Sequence, residues 1–600
     1  MTRVGDALLA RRVRAGHWEG HLSSSALATA TAVTALSTAA RRGASVRDRD
    51  RLVADGIAWL VATRNDDGGW GDTPDSVSNI STTALVWSAL TDGRTDAASE
   101  AASSAAAWIA RAAGGGSPEA LAAALATRYG KDRTFSVPIL TMCAITGRLG
   151  PGEQAWRLIP QLPFELATVP RRLFGTLRLP VVSYALPALI SMGVARHRSG
   201  RAIPLVTAIR ERAAPKALRV LGGLQPAHGG FLEAVPLTAF ITMSLAAGGE
   251  VEHPAVKKGI SFLLQSARAD GSWPIDTNLA TWGTTLAVNA MAPADLGTML
   301  PPNDQDEIRR YLLDQQWTTV HPYTGAAPGG WAWTHLPGGV PDADDTAGAV
   351  LALSVLGRDR EDVQTAALGG VTWLLDLQNR DGGIPTFCKG WGTLPFDRSS
   401  TDLTAHALRA WAAWSDIANE RLRRRIHQAS ARAVGFLAKA QRPDGAFVPL
   451  WFGNQHDTVE QNPVFGTARV IKGLVSVPRT AGAGSFAIAG RARDFLLKSQ
   501  GPDGGWGGSA GVSASIEETA VALAGLAQLP ADAACASSCA RGFDWLARAT
   551  KNFTSFAPSP IGLYFARLWY AEDLYPILFT MDAVANLAQR PPGRNFLPRS

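Results

Sequence analysis

Gln500-Gly501-Pro502-Asp503-Gly504-Gly505-Trp506 decides the fold, because the phrase it contains keeps returning along the chain. Each time, a helical stretch runs into Gln or Asp, a Gly-x-aromatic turn follows, and a second stretch rich in Thr, Ala and Leu begins. The other copies are Trp59…Asp67-Gly68-Gly69-Trp70, Gln225…Gly229-Gly230-Phe231, Gln265…Asp270-Gly271-Ser272-Trp273, Gln316…Gly329-Gly330-Trp331, Gln378…Asp381-Gly382-Gly383-Ile384 and Gln441…Asp444-Gly445-Ala446-Phe447. Gly16-His17-Trp18 reads as a degenerate first copy. From Trp273 onward the copies recur at roughly 60 residues, enough for two helices and a loop, so the unit is an αα-hairpin. Segments such as Thr346 to Leu356 and Thr404 to Trp414 space their apolar residues helically, without the alternation of strands. The fold class is all-α. Helix pairs of this kind bury a core only by stacking, either as an open solenoid or closed into a ring.

The chain has 600 residues, more than one ordinary core holds, so at least two domains are expected. With 46% hydrophobic and 18% charged residues, it is neither disordered nor a coiled coil. A formal net charge of +7 leans towards anionic partners, nucleic acid or acidic headgroups. No basic run interleaves with aromatics, and nucleic acid is set aside. Four cysteines, Cys143, Cys388, Cys535 and Cys539, are too few for a disulfide framework, which points to a reducing compartment. Arg11-Arg12 and the weakly apolar run Ser23 to Ala40 make a poor export signal, and the longest apolar stretch, Pro180 to Ala195, is too short to span a bilayer.

The segment richest in chemistry is Gly329-Gly330-Trp331-Ala332-Trp333, followed by Pro341-Asp342-Ala343-Asp344-Asp345-Thr346-Ala347. One Asp would suffice to cap a helix. Three carboxylates crowded in a Trp-rich setting cannot all ionise cheaply, so at least one is expected to hold a proton usable as an acid. In Thr401-Asp402-Leu403-Thr404-Ala405-His406, the i, i+4 spacing places Asp402 and His406 on one helix face, where the carboxylate would keep the imidazole charged.

The Gln-to-Gly-x-Trp phrases resemble the repeat signature of the squalene-hopene cyclase and oxidosqualene cyclase family over nearly the whole chain, and Asp-x-Asp-Asp-Thr-Ala resembles the class II terpene cyclase motif. The resemblance implies two (α/α) barrels, one inserted into the other, with a large apolar cavity between them. Residues 1–26 and 276–600 would form the catalytic barrel and 27–275 the inserted one. It implies that Asp344, the middle carboxylic acid, protonates an alkene, flanked by Asp342 and Asp345 and assisted by His406 of the family's Asp-x-Thr-Ala-His segment, with Asp402. Trp282 and Trp333 match cavity aromatics of the family. Phe387, Trp451, Phe465 and Tyr184 match further lining positions, where core packing is the competing reading.

Departures from the family pattern point to altered product control: Gly283 stands where Asp usually follows Trp282, Ala28 and Ala30 where hopene-forming relatives carry Glu, and Leu450 to Pro463 is longer. Tyr564, Phe565, Trp569, Tyr570 and Tyr575 supply aromatic density without overlaying the family spacing. Glu233 falls where the far end of the cavity is expected, a candidate for ending the cation by deprotonation, or else a salt-bridged surface residue. Arg171, Arg172, Arg178 and Arg196 flank Leu179 to Ala195, a basic-rimmed segment for peripheral, monotopic membrane contact on the cytoplasmic side, or a core helix.

The expected activity is protonation-initiated cyclisation of squalene to a hopene-type triterpene, by an isomerase or related lyase. The alternatives are another linear polyprenyl substrate or a non-catalytic lipid-binding repeat protein. Partners would be a linear isoprenoid and a membrane surface, with a homodimer allowed. No metal and no cofactor is expected: a prenyltransferase zinc site lacks its Cys-His cluster, and the Asp-Asp-x-x-Asp of diphosphate-ionising enzymes is not found.

Overall fold

The computed structural model describes residues 1–130, 132–169, 185–200, 203–387, 396–478, 484–530, 532–563 and 567–589. Their regular structure is almost all helix; the one two-stranded ladder among them pairs Ile561–Leu563 with Leu568–Tyr570, antiparallel.

The recurring phrase works through two sets of hydrogen bonds. In the first, the amide of the turn's aromatic donates to a Thr hydroxyl on an adjoining helix: Trp70 to Thr83 at 3.0 Å, Phe231 to Thr238 at 2.9 Å, Trp273 to Thr29 at 2.9 Å, Trp331 to Thr346 at 3.0 Å and Trp506 to Thr519 at 2.9 Å. The indole Nε1 of each Trp then donates back to the preceding helix, as Trp506 does to the Leu496 carbonyl at 2.8 Å. In the second set, the Gln amide bridges its own turn to the outer helix of the following hairpin. Gln378 Nε2 donates to the Gly382 carbonyl at 2.8 Å and to that of Ala429 at 2.9 Å. Gly382 has φ +94°, and a Cβ there would lie 2.3 Å from the Arg432 carbonyl oxygen, so the turn requires glycine both for its backbone and for the close approach. Trp18 is a working copy: its amide donates to Thr284 Oγ1 at 3.0 Å and its indole to the Leu8 carbonyl at 2.8 Å.

Six inner helices close one ring: Ala280–Met291, Ala343–Leu353, Thr401–Trp414, Pro463–Ser476, Ile516–Leu526 and Tyr575–Ala588, the last packing on the first. Among the described residues, five close a second ring: Ala26–Arg41, Ile80–Ala89, Arg133–Ile145, Leu186–Ser199 and Val235–Ala247. Closure, not an open solenoid, buries the inner faces on every side. The molecule is thus two (α/α) barrels, the second interrupting the chain of the first. Buried side chains from Leu22 to Ile275, joined by Tyr323, Val340 and Phe387, form one cluster; those from Val4 to Trp18 and the rest from Trp282 to Leu587 form the other. Several inner helices start at a side-chain cap, among them Ser25, Asn79, Asp132, Asp342, Asn462 and Ser515. Leu186, Ile190, Met192, Val194 and Ala195 are buried, so the described part of the basic-rimmed segment is a core helix of the second barrel.

Candidate active site

Asp342 is the cap of helix Ala343–Leu353. Its Oδ1 accepts from the amides of Asp344 at 2.8 Å and Asp345 at 2.9 Å, which frees the other two carboxyls from that duty. Asp342 and Asp345 are buried, whereas the Asp344 side chain keeps 19% of its surface accessible, at the wall of an apolar cavity. Asp344 Oδ1 lies 2.5 Å from His406 Nδ1 and 3.9 Å from an Arg469 guanidinium nitrogen.

The three carboxyls divide their roles by environment. Burial pushes Asp344 up, but His406 and then the charges of Arg469 and Arg409 overcome it and hold this carboxyl below its ordinary range. Burial raises Asp342 to about 7, with the charge of Asp344 adding to the shift. Asp345, with burial and Asp342 both acting against its ionisation, is held well above the carboxylate range, and its Oδ1 has no hydrogen-bond partner. The crowd's standing protons therefore sit on Asp345 and Asp342. Asp344 is the most acidic of the three.

One sequence expectation changes here. Asp402 does not hold His406: its carboxylate accepts from Ser400 Oγ and, at 3.4 Å, from the Leu450 amide, and burial raises it to about 6. Burial also drives His406 down to about 4, against the pull of Asp344. The imidazole is thus no standing cation. In the tautomer protonated at Nδ1 it donates to Asp344 Oδ1. Permanent positive charge comes instead from Arg469 and Arg409; the latter is depressed by burial only to about 10. Sequence reading missed both. The signal was present: Arg409 lies three positions after His406 and Arg469 four after Phe465, each on the same helix face as its neighbour.

The cavity measures about 330 Å³ and runs between the two barrels. Trp282, Trp333, Phe387 and Trp451 line it, as do Phe452, Tyr570 and Tyr575. Trp282 Nε1 donates to Tyr575 Oη at 3.2 Å, and Tyr575 and Tyr570 share a hydroxyl contact at 3.0 Å, which fixes three rings around the acid. Phe465 is not a lining residue: it stacks behind Phe452 at a centroid distance of 4.4 Å, in the core. Tyr184 lies outside the described residues, as do Tyr564 and Phe565.

Glu233 is neither at the surface nor in the cavity. It is fully buried and accepts from the Gly338 amide at 2.6 Å and Thr277 Oγ1 at 3.2 Å, with His228 Nε2 2.8 Å away. Left-handed backbone at Leu232 and Glu233, φ +56° at both, turns the acid behind the wall, while Leu232 and Ala234 line the cavity in its place. The long loop from Leu450 to Pro463 joins the barrels, with Gln455 Oε1 accepting from the Val77 amide at 3.0 Å and Glu460 pairing with Arg128 at 3.2 Å. Among the described residues no group of three or more His, Cys, Asp or Glu side chains is placed to hold a metal ion.

A carboxylic acid opening on an aromatic-walled apolar cavity between two (α/α) barrels defines the class II terpene cyclase type of site. The family model for the squalene-hopene cyclase C-terminal domain matches residues 279–589, and that for the N-terminal domain matches residues 1–129. The chain belongs to the squalene-hopene cyclase family. Squalene hopane cyclase of Aspergillus fumigatus is 26% identical over 552 residues, covering 75% of this chain and 70% of that protein. The squalene-hopene cyclase of Alicyclobacillus acidocaldarius is 30% identical over 304 residues, 45% of this chain and 43% of the other. Enfumafungin synthase of Hormonema carpetanum is 28% identical over 374 residues, and the match spans 26% of its length. Among solved structures, ent-copalyl diphosphate synthase from Streptomyces platensis has the same fold, with a TM-score of 0.55 at 19% identity, covering 98% of this chain and 99% of that one.

Proposed function

We propose that this chain cyclises a linear polyprenyl by alkene protonation from Asp344, with squalene as substrate and a hopene-type triterpene as product, an intramolecular isomerisation. The observation that carries the reading is the position of Asp344: it lines the cavity while its Oδ1 meets His406 and Arg469, and with the charge of Arg409 these stabilise the carboxylate left after proton transfer. Asp342 keeps the helix start in register through the Asp344 and Asp345 amides. Asp402, fixed to Ser400 and Leu450, braces the helix that carries His406. As positive charge moves along the folded chain, Trp282, Trp333, Phe387 and Trp451 offer π faces contributing on the order of 2 kcal/mol each and no nucleophile that would trap it.

Residues 1–26 with 276–600 form, in this proposal, the catalytic barrel and 27–275 the inserted one. A polyprenyl dissolved in lipid must be collected from a bilayer, and Ile203, Leu205 and Ile209, all exposed at the start of helix Pro204–Leu224, supply an apolar patch for peripheral membrane contact. A cavity of about 330 Å³ is at the small end of the range for ligand sites, about 300–1,000 Å³, which favours a shorter polyprenyl as the second reading.

Detergent-solubilised protein incubated with squalene, and in parallel with shorter polyprenyls, is analysed by gas chromatography and mass spectrometry beside Asp344→Asn. A cyclised product from the native chain, reduced by at least about 10²–10⁴-fold in the variant, is expected. Equal product from both would reject Asp344 as the acid, and silence across the panel would reject the cyclase reading.

A further inference from the structure

Four carboxyls line the cavity, and only three belong to the initiating motif. The fourth is Asp276, in the loop before helix Ala280–Met291, between the lining residues Ile275 and Leu279. Its main chain is pinned by an antiparallel bridge to Ala234, with the Val235 amide donating to the Ile275 carbonyl at 3.2 Å. Asp276 Oδ1 accepts from the Thr277 amide at 2.7 Å. It does not cap the helix, since the Ala280 amide donates to Asn278 Oδ1 at 3.2 Å instead, and no ion pair holds it among the described residues. A carboxyl facing an apolar cavity with no ion pair among the described residues is costly to keep.

We infer that Asp276 is the base that ends the cascade, taking the proton the cyclised cation loses; this rests on the cyclase reading above. The residue is placed for it. It shares the cavity wall with Asp344, Trp282 and Trp333. In the step, the C–H bond next to the cationic carbon breaks, its electron pair becomes the new C=C π bond, and the proton passes to an Asp276 oxygen. Asp344 has then lost one proton and Asp276 gained one; exchange with water restores both. The carbocation itself is the counter-charge that favours ionised Asp276. Burial and then the nearby Glu233 raise its proton affinity well above that of an ordinary carboxylate, so Asp276 first gives its resting proton to water and takes one back in this step. Glu233, behind the wall, tunes this carboxyl rather than meeting substrate.

The test uses whichever polyprenyl of the panel the full native chain converts in an Asp344-dependent way, and its readout is the distribution of products. The native chain is expected to give mainly one olefin. Asp276→Asn is expected to slow loss of that proton by roughly 10²-fold, so alcohols from water capture or olefins from proton loss at other carbons take over. An unchanged product ratio, or a native product that is chiefly an alcohol, overturns the assignment while leaving Asp344 in place. No conversion by the native chain removes the cyclase reading and this inference with it. If Asp276→Asn loses its near-ultraviolet circular dichroism, Asp276→Glu gives the answer: a shifted ratio of olefin isomers is expected, and the native ratio overturns the inference.

Discussion

At the scale of the residue, three aspartates within four positions come to differ through what each one touches. Asp342 spends its carboxylate on two amides, Asp345 leaves an oxygen without a partner, and Asp344 faces His406 and Arg469. The raised Asp342 gives the site a pH dependence of definite sign. Below about 7 it is neutral; as pH rises through about 7 it ionises and places a negative charge beside Asp344. That charge raises the proton affinity of Asp344 and lowers the driving force for proton transfer from its protonated form, so kcat falls in the complex that carries that proton. Asp342→Asn keeps an oxygen to accept the two amides and cannot ionise. Its kcat, measured between about pH 6 and 9, is expected to lose the alkaline limb near 7 that the native protein shows. A limb unchanged in the variant would assign it to another group.

At the scale of the element, the repeat is a hydrogen-bonded joint. Gln378 joins its own turn to Ala429 of the next hairpin and also accepts from Arg432. Truncation leaves the buried Gly382 carbonyl without this donor and cuts the tie to Ala429, and Gln378→Ala is expected to cost about 1–3 kcal/mol, read as a lower urea midpoint with an unchanged slope. A midpoint within error of the native one would mean that the joint is redundant. The joints were legible in the sequence as repeated letters, and so was the Thr on the following helix. What the letters did not display was the pairing itself, because Trp273 takes its Thr partner from position 29, far away in the chain.

At the scale of the whole molecule, the second barrel supplies the cavity's far wall through Tyr129, Phe135, Ile139 and Phe240, and the joining loop contributes Glu460 between Arg128 and Arg567. Among the described residues no helix is long and apolar enough to cross a membrane. The exposed Leu205 and Ile209 share their helix with Arg212, Lys216 and Arg219, an apolar patch beside basic side chains that suits anionic headgroups. Co-sedimentation of the chain with vesicles containing phosphatidylserine is therefore expected. Leu205→Ser with Ile209→Ser is expected to weaken it by roughly tenfold or more, since burial of each such side chain contributes about 1.5–3 kcal/mol. Equal sedimentation of both proteins would place the contact elsewhere.

The sequence by itself determined the helical hairpins, the acid-bearing helix start and its three carboxylates, because turns, caps and i, i+4 faces are set by residues close together in the chain. The tertiary structure alone decided that the hairpins close into rings, that Asp402 turns to Ser400 and not to His406, that Phe465 sits behind Phe452, and that Asp276 rather than Glu233 reaches the cavity. Each of these depends on which distant segments meet, and burial and electrostatics act through space. Arg469 and Asp344 are separated by more than a hundred residues of chain, and it is their 3.9 Å separation in the fold that helps to make Asp344 the most acidic of the three aspartates.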